Sequence, residues 1–160
     1  MKTRGAAIIL ATLIGGGSGC SKVSEASDGA KAEAHSAGPA GASVENANYR
    51  AEVKPAGRCE KNSPCSVDVL VLAKGEYHIN DKYPYRFKLD DPPAAGLKYP
   101  KPVVGKDDAT MDERKIVLKV PFLSEASGDK KVGGTLSFSV CSAGNCLMDK
   151  QPLELTVKVE

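Results

Sequence analysis

The sequence predicts an all-β fold, an immunoglobulin-like antiparallel β-sandwich of about seven strands. Three observations lead to this prediction. Short runs of alternating apolar and polar residues recur from residue 49 to the end of the chain. Clusters of Gly, Pro and Asp separate these runs, as turns separate strands. No stretch of helical length in this region has the periodicity of an amphipathic helix.

The first long run, 66–73, is rich in Val and Leu and predicts a central strand covered on both faces. The other runs alternate, so one face of each strand is expected to lie in the core. These alternating strands are predicted at 49–54, 85–90, 116–122, 135–140 and 153–159. The core is predicted to contain Phe87, Leu89, Ile116, Leu118, Leu136, Phe138, Leu155 and Val157. Turns are predicted at 55–57, 90–93, 128–130 and 133–134.

The first 20 residues have the pattern of an export signal. Lys2 and Arg4 give a positively charged start, and an apolar run follows that is too short to cross a bilayer. A run of small residues then ends in Cys20, which is typical of a bacterial lipoprotein signal whose cysteine is lipidated. Ordinary secretory cleavage near Gly19 is the alternative. The expected location is the bacterial cell envelope, with a lipid anchor in the membrane and the domain facing the periplasm.

Residues 21–48 are mostly Ala, Gly, Ser, Glu and Lys, a composition that predicts a disordered tether. Residues 49–160 are then expected to form one domain with its own core. Without Lys2 and Arg4, the basic residues of the chain balance its 20 acidic residues. This balance gives no reason to expect nucleic-acid binding or electrostatic attachment to a membrane.

Four cysteines remain in the predicted domain and allow three pairings, among which the sequence does not decide. The local pairing of Cys59 with Cys65 and of Cys141 with Cys146 is favoured because each pair brackets a short, turn-like segment. Cys59 and Cys65 are expected to form a structural disulfide. A zinc site of four thiolates is the alternative, although structural zinc pairs are usually two to four residues apart. The acidic pairs 90–91 and 107–108 are expected to be solvated turn residues, with calcium binding as the alternative, and no cofactor is expected.

Cys141 and Cys146 stand where a predicted hairpin closes, with residues 142–145 as its loop. Opposed residues of a hairpin have Cα atoms about 5.5 Å apart or less, which suits a disulfide. A bond that closes so short a loop stabilises a fold by only about 2 kcal/mol. At an exposed strand end such a bond is also open to attack by the thiolate of another protein. Both a structural and a redox role fit this spacing.

The segment 75–80, Gly-Glu-Tyr-His-Ile-Asn, the strand at 116–122 and the cysteine hairpin together resemble the N-terminal periplasmic domain of the DsbD family of thiol:disulfide interchange proteins. The resemblance implies an immunoglobulin-like domain whose cysteines, here Cys141 and Cys146, alternate between dithiol and disulfide. It also implies thioredoxin-fold redox proteins as partners, without a small-molecule cofactor. Either cysteine could form the mixed disulfide with the partner.

Tyr77 and His78 carry part of this resemblance and are possible neighbours of the cysteines. A positively charged His78 near the thiols would favour a thiolate. The alternative is that both residues form a packing and hydrogen-bonding corner between a strand and a loop.

Two functions are therefore compatible with the sequence. In the first, a lipid-anchored domain exchanges thiols and disulfides with thioredoxin-fold partners, which would make it a thiol-disulfide oxidoreductase. In the second, it is a non-catalytic β-sandwich lipoprotein that acts as a binding or scaffold module and has two structural disulfides.

Overall fold

The computed structural model describes residues 40–160. Its strands form two antiparallel sheets around one apolar core, which confirms the predicted all-β sandwich. The predicted export signal, Cys20 and most of the predicted tether lie outside the described residues. Within residues 40–160, no helix is long and apolar enough to span a membrane.

Eleven strands and one turn of 3-10 helix make up the described chain. In chain order the strands are β1 (Ser43–Glu45), β2 (Tyr49–Pro55), β3 (Pro64–Ala73), β4 (His78–Ile79), β5 (Arg86–Leu89), β6 (Leu97–Lys98), β7 (Val103–Gly105), β8 (Ala109–Met111), β9 (Lys115–Ser124), β10 (Gly128–Cys141) and β11 (Cys146–Val159). The 3-10 turn, Lys106–Asp108, lies between β7 and β8.

The first sheet has the strand order β1-β2-β3-β9-β6, and β8 also pairs with β9. The second sheet has the order β11-β10-β5-β7, and β4 pairs with the end of β10. The long hairpin of β10 and β11 dominates the second sheet, and β11 is its edge strand. The two cysteines of the hairpin therefore lie at one corner of the sandwich.

The core lies between the sheets and contains most of the apolar residues predicted for it. All the predicted core residues are buried except Leu155, which is half-buried and packs against the rim of the core. The Val-rich run predicted as a central strand is β3, which lies between β2 and β9. Val67, Val69 and Val71 point into the core, and Leu70 is buried on the opposite face.

The predicted turns at 128–130 and 133–134 are wrong, because both segments lie inside β10. Gly133 and Gly134 are needed there for close packing and not for a change of direction. A Cβ atom on Gly134 would overlap the carbonyl oxygen of Lys88 on β5, and one on Gly133 would overlap the carboxylate of Asp90. The glycines thus let β5 approach β10 closely.

The sandwich also begins earlier than the predicted domain boundary at residue 49. Strand β1 lies within the segment assigned to the tether and pairs with β2. The carbonyl of Ala42 accepts a 2.8 Å hydrogen bond from the Val53 amide, and Val44 packs against the core. These few contacts order a segment whose composition alone predicts disorder.

Candidate functional site

The cysteine hairpin has the predicted register. Cys141 and Cys146 are direct partners at the ends of β10 and β11, and they form a disulfide with a Cα to Cα distance of 4.0 Å. The Ser142 amide donates a 2.7 Å hydrogen bond to the Asn145 carbonyl, which closes the turn. The cysteine pair next to it is therefore of the non-hydrogen-bonded kind, in which the two Cα atoms approach most closely.

The two sulfur-bearing residues differ in their access to solvent. Cys146 is exposed at the start of the edge strand. Cys141 is only 6% exposed, because it lies on a strand that has neighbours on both sides. An incoming group from solvent therefore meets Cys146 first.

His78 is the neighbour of Cys141 on the other side. The two residues are direct partners in the pairing of β4 with β10. Directly opposed residues point to the same face of a sheet, with Cβ atoms about 4.5–5.5 Å apart. His78, Cys141 and Cys146 therefore form one row on the outer face, and the sequence could not show this proximity.

Tyr77 does not share this position. It ends a turn in which its amide donates a 3.0 Å hydrogen bond to the carbonyl of Lys74, and Gly75 adopts the positive φ of 58° that this turn needs. The Tyr77 ring packs against the core. Of the two proposed neighbours, only His78 is placed beside the disulfide by strand pairing.

A buried hydrogen-bond network lies next to His78 and Cys141, between the segment after β4 and the end of β10. The Tyr85 hydroxyl donates to the carbonyl of Ser139, two residues before Cys141, and accepts a 3.0 Å hydrogen bond from the Asn80 amide. Burial raises the pKa of Tyr85 to about 12, so the phenol keeps its proton. The network ties the segment after β4 to β10 and so fixes His78 beside Cys141.

A second polar network joins the two sheets below the hairpin. The Tyr49 hydroxyl on β2 donates to the carboxylate of Asp149 on β11. The side-chain amide of Gln151 donates a 3.0 Å hydrogen bond to the same carboxylate oxygen. Burial, followed by the hydrogen bond to Asp149, raises the pKa of Tyr49 well above its usual range. The Tyr49 ring also packs edge-on against Phe138, with 4.7 Å between ring centroids. This network fixes β11 to the other sheet at a point three to five residues after Cys146.

The second disulfide has a different setting. Cys59 and Cys65 are bonded as expected, and they are only 3% and 5% exposed. Cys59 also forms a bridge with Val159, and its carbonyl accepts a 2.9 Å hydrogen bond from the Glu160 amide. This disulfide lies in the core and helps to fix the C-terminal residues.

The disulfides exclude the four-thiolate zinc alternative, because each of the four cysteines is bonded to another. In the described part of the chain, no group of three His, Cys, Asp or Glu side chains could hold a metal ion. An open groove of about 510 Å³ lies beside β5, where Arg86 and Lys82 line it. Tyr85 also lines this groove, and Arg86 pairs with Ser137, four residues before Cys141.

The sequence did not identify Asn80, Tyr85 and Ser139 as a support of the site. A local signal for part of it exists, because Asn80 begins a turn in which its side chain accepts a 3.1 Å hydrogen bond from the Lys82 amide. The contact with Ser139 depends on a strand far away in the sequence, and no local pattern reports it.

The comparisons with known proteins identify no family. No protein-family model matches the chain, and no curated protein does. Among solved structures, the chain is similar to a cohesin module from a family 33 glycoside hydrolase of Clostridium perfringens, with 13% sequence identity and a TM-score of 0.39. The match covers 72% of this chain and 98% of that module. Similarity at this level does not indicate a function.

Proposed function

We propose that this protein is a thiol-disulfide exchange domain that reacts through the Cys141–Cys146 bond with thioredoxin-fold partners. One observation carries the proposal. The bond lies at a hairpin tip with Cys146 exposed and Cys141 buried beside His78, whereas both cysteines of the other disulfide are buried. The resemblance of the hairpin and of the segment 75–80 to the N-terminal domain of the DsbD family supports the same function.

The reaction begins with attack at Cys146, because it is the exposed residue of the pair. A partner thiolate attacks Cys146 Sγ and forms a mixed disulfide, and the Cys141–Cys146 bond breaks. The bonding electron pair leaves with Cys141 Sγ as a thiolate. The partner's second thiol loses its proton and attacks the partner sulfur of the mixed disulfide, which releases the Cys146 thiolate. The two thiolates take up two protons, so this chain gains a dithiol and the partner a disulfide.

His78 assists the first step through its position. A protonated imidazole beside Cys141 stabilises the thiolate that leaves, as a neighbouring cation does for cysteines in general. It can also supply the proton that Cys141 takes up. A leaving group that is stabilised in this way departs faster.

The cell envelope is the location that suits this function. Disulfides persist in oxidising compartments, and two of them fit an exported protein. The lipoprotein pattern that ends in Cys20 supports attachment to a membrane, which would keep the domain near its partners. More than one acyl chain is needed for stable attachment, as expected of a lipidated N-terminal cysteine.

A redox titration of the purified protein tests the proposal. The protein is equilibrated in glutathione and dithiothreitol buffers, free thiols are alkylated, and mass spectrometry follows each cysteine pair separately. We expect the Cys141–Cys146 pair to titrate between about −270 and −120 mV, the range of thioredoxin-fold proteins. The Cys59–Cys65 pair should stay oxidised throughout and serves as the internal control.

A reduction potential of the hairpin bond below about −300 mV, which is typical of structural disulfides, would refute the exchange function. The protein would then be the non-catalytic binding or scaffold module with two structural disulfides.

A further inference from the structure

The outer edge of β11 has unused backbone groups beside the reactive bond. The amides of Glu154 and Glu160 donate away from β10, to Gly41 at 3.0 Å and to Cys59 at 2.9 Å. Backbone groups alternate in direction along a strand. Those of Cys146, Met148, Lys150 and Pro152 therefore also point away from β10, towards the free edge.

The middle of this edge, from Lys150 to Glu154, and the chain end at Glu160 are protected, whereas within residues 40–160 the outward amides of Thr156 and Lys158 have no hydrogen-bond partner. Gly41 bridges Leu153, and Cys59 bridges Val159. Pro152 has no amide to offer, and the Lys150 amide is taken by the Asp149 carboxylate at 2.7 Å. Natural proteins use such devices to keep edge strands from pairing with other chains.

The stretch from Cys146 to Met148 has none of these protections. Within residues 40–160, the outward amides of Cys146 and Met148 have no hydrogen-bond partner. The Met148 side chain is 71% exposed and shares the outer face with Cys146. This open stretch of the edge thus begins at the residue that an exchange partner must reach.

We infer that the edge of β11 from Cys146 to Met148 is the docking strand for the redox partner. An extended segment of the partner, next to its reactive cysteine, pairs with this edge through backbone hydrogen bonds and contacts the Met148 side chain. Addition of a strand to an exposed edge is a general mode of peptide recognition. A partner cysteine that bonds to Cys146 necessarily brings its own backbone near this edge. The inference rests on the proposed function.

The outward amide of Met148 can be removed without loss of a β10 hydrogen bond. Met148→Pro does this, and Pro152 shows that β11 accepts a proline at an outward position. Met148→Ala is the matched control, because it shortens the side chain and keeps the amide. Lys150→Pro is a second control, because that amide is already bonded within the chain.

The measured quantity is the rate at which reduced thioredoxin reduces the hairpin bond, divided by the rate with dithiothreitol. We expect Met148→Pro to lower this ratio about five- to tenfold relative to Met148→Ala, as the loss of one or two hydrogen bonds would. Lys150→Pro should stay within about twofold of the unchanged protein. Equal ratios for Met148→Pro and Met148→Ala overturn the docking strand and leave the proposed function intact. If thioredoxin does not reduce the hairpin bond even in the unchanged protein, both fail.

A trapped complex gives a readout that does not depend on the fold of the proline variant. Cys141→Ser leaves Cys146 free to form a stable mixed disulfide with a thioredoxin whose second active-site cysteine is serine. We expect hydrogen exchange at the Met148 amide to slow at least about tenfold in this complex. If the Met148 amide is already protected from hydrogen exchange in the free protein, the inference is overturned. Protection that disappears on dilution would identify a second copy as the occupant of the edge, and constant protection would identify another segment of the chain.

Discussion

The two disulfides of this protein close loops of nearly equal length in opposite surroundings. Their cysteines are six and five residues apart, so loop entropy gives each bond about 2 kcal/mol. Cys59 and Cys65 are buried where the last residues of the chain are fixed. Cys146 is exposed at a hairpin tip, and its partner lies beside a histidine.

This difference shows that sequence spacing alone does not separate a structural bond from a reactive one. The surroundings separate them, through access to an attacking thiolate and through the charge near the leaving sulfur. The strands decide both properties, because β4 and β11 place their residues on either side of Cys141.

The largest expected difference concerns stability. Replacement of the buried pair, Cys59→Ala with Cys65→Ala, should lower the free energy of unfolding by about 4 kcal/mol, because a cavity adds to the lost loop closure. Replacement of the hairpin pair, Cys141→Ala with Cys146→Ala, should cost about 2 kcal/mol. Urea denaturation measures both. Equal losses in the free energy of unfolding would mean that both disulfides have the same structural role.

A smaller effect on stability is expected from the hydrogen bonds of the Tyr85 hydroxyl near the end of β10. Tyr85→Phe removes the hydroxyl that contacts Ser139 and Asn80 and should lower the free energy of unfolding by about 1–2 kcal/mol near pH 7. Thermal and urea unfolding give this value. A loss near zero would show that the network does not hold the hairpin end.

The same variant should also change the dependence of stability on pH. Burial raises the pKa of Tyr85 to about 12, above the value of about 10 in an unfolded chain. The folded state thus holds the phenol proton more tightly, and this contribution is complete below about pH 10 and lost as the pH rises towards 12. The unchanged protein should therefore lose stability faster than Tyr85→Phe above pH 10, so the difference between them narrows.

The smallest effect concerns the rate of exchange. His78→Gln should slow reduction of the hairpin bond by thioredoxin about three- to tenfold at pH 6, because the Cys141 thiolate then leaves without a neighbouring cation. The advantage of the unchanged protein, taken as the ratio of the two rates, should shrink as the pH rises from acidic to alkaline, because the proposed effect depends on a cation beside Cys141. A purely structural role of His78 would give a ratio that does not change with pH.

Arg86→Gln is the control for this experiment. It removes a positive charge from the same sheet, but Arg86 pairs with Ser137 and not with a cysteine. Equal slowing in both variants would show a general effect of charge, and His78 would lose its special role.

The fold was largely predictable from local patterns. The run 116–122 lies inside β9, and the alternation of Ile116 and Leu118 correctly identified its core face. Gly133 and Gly134 misled the prediction because a glycine that admits a neighbouring strand looks the same in sequence as one that makes a turn. That distinction depends on Lys88, which lies on another strand.

The candidate site was predictable only in part. The register of Cys141 with Cys146 followed from the length of the loop between them, because a hairpin pairs residues that are close in sequence. The position of His78 beside Cys141 did not follow, since β4 and β10 are far apart in the chain and only tertiary folding brings them together. The exposure of Cys146 likewise depends on the order of the strands in the sheet.

Strand β11 runs without interruption from Cys146 at one end to Val159 at the other. At about 3.3 Å per residue, roughly 40 Å separate the hairpin tip from the clamped chain end. A fluorescent label, an affinity tag or a surface linker attached after Glu160 would therefore stand at the opposite end of β11 from the tip. Protein immobilised in this way would present its disulfide outwards to the surrounding solution.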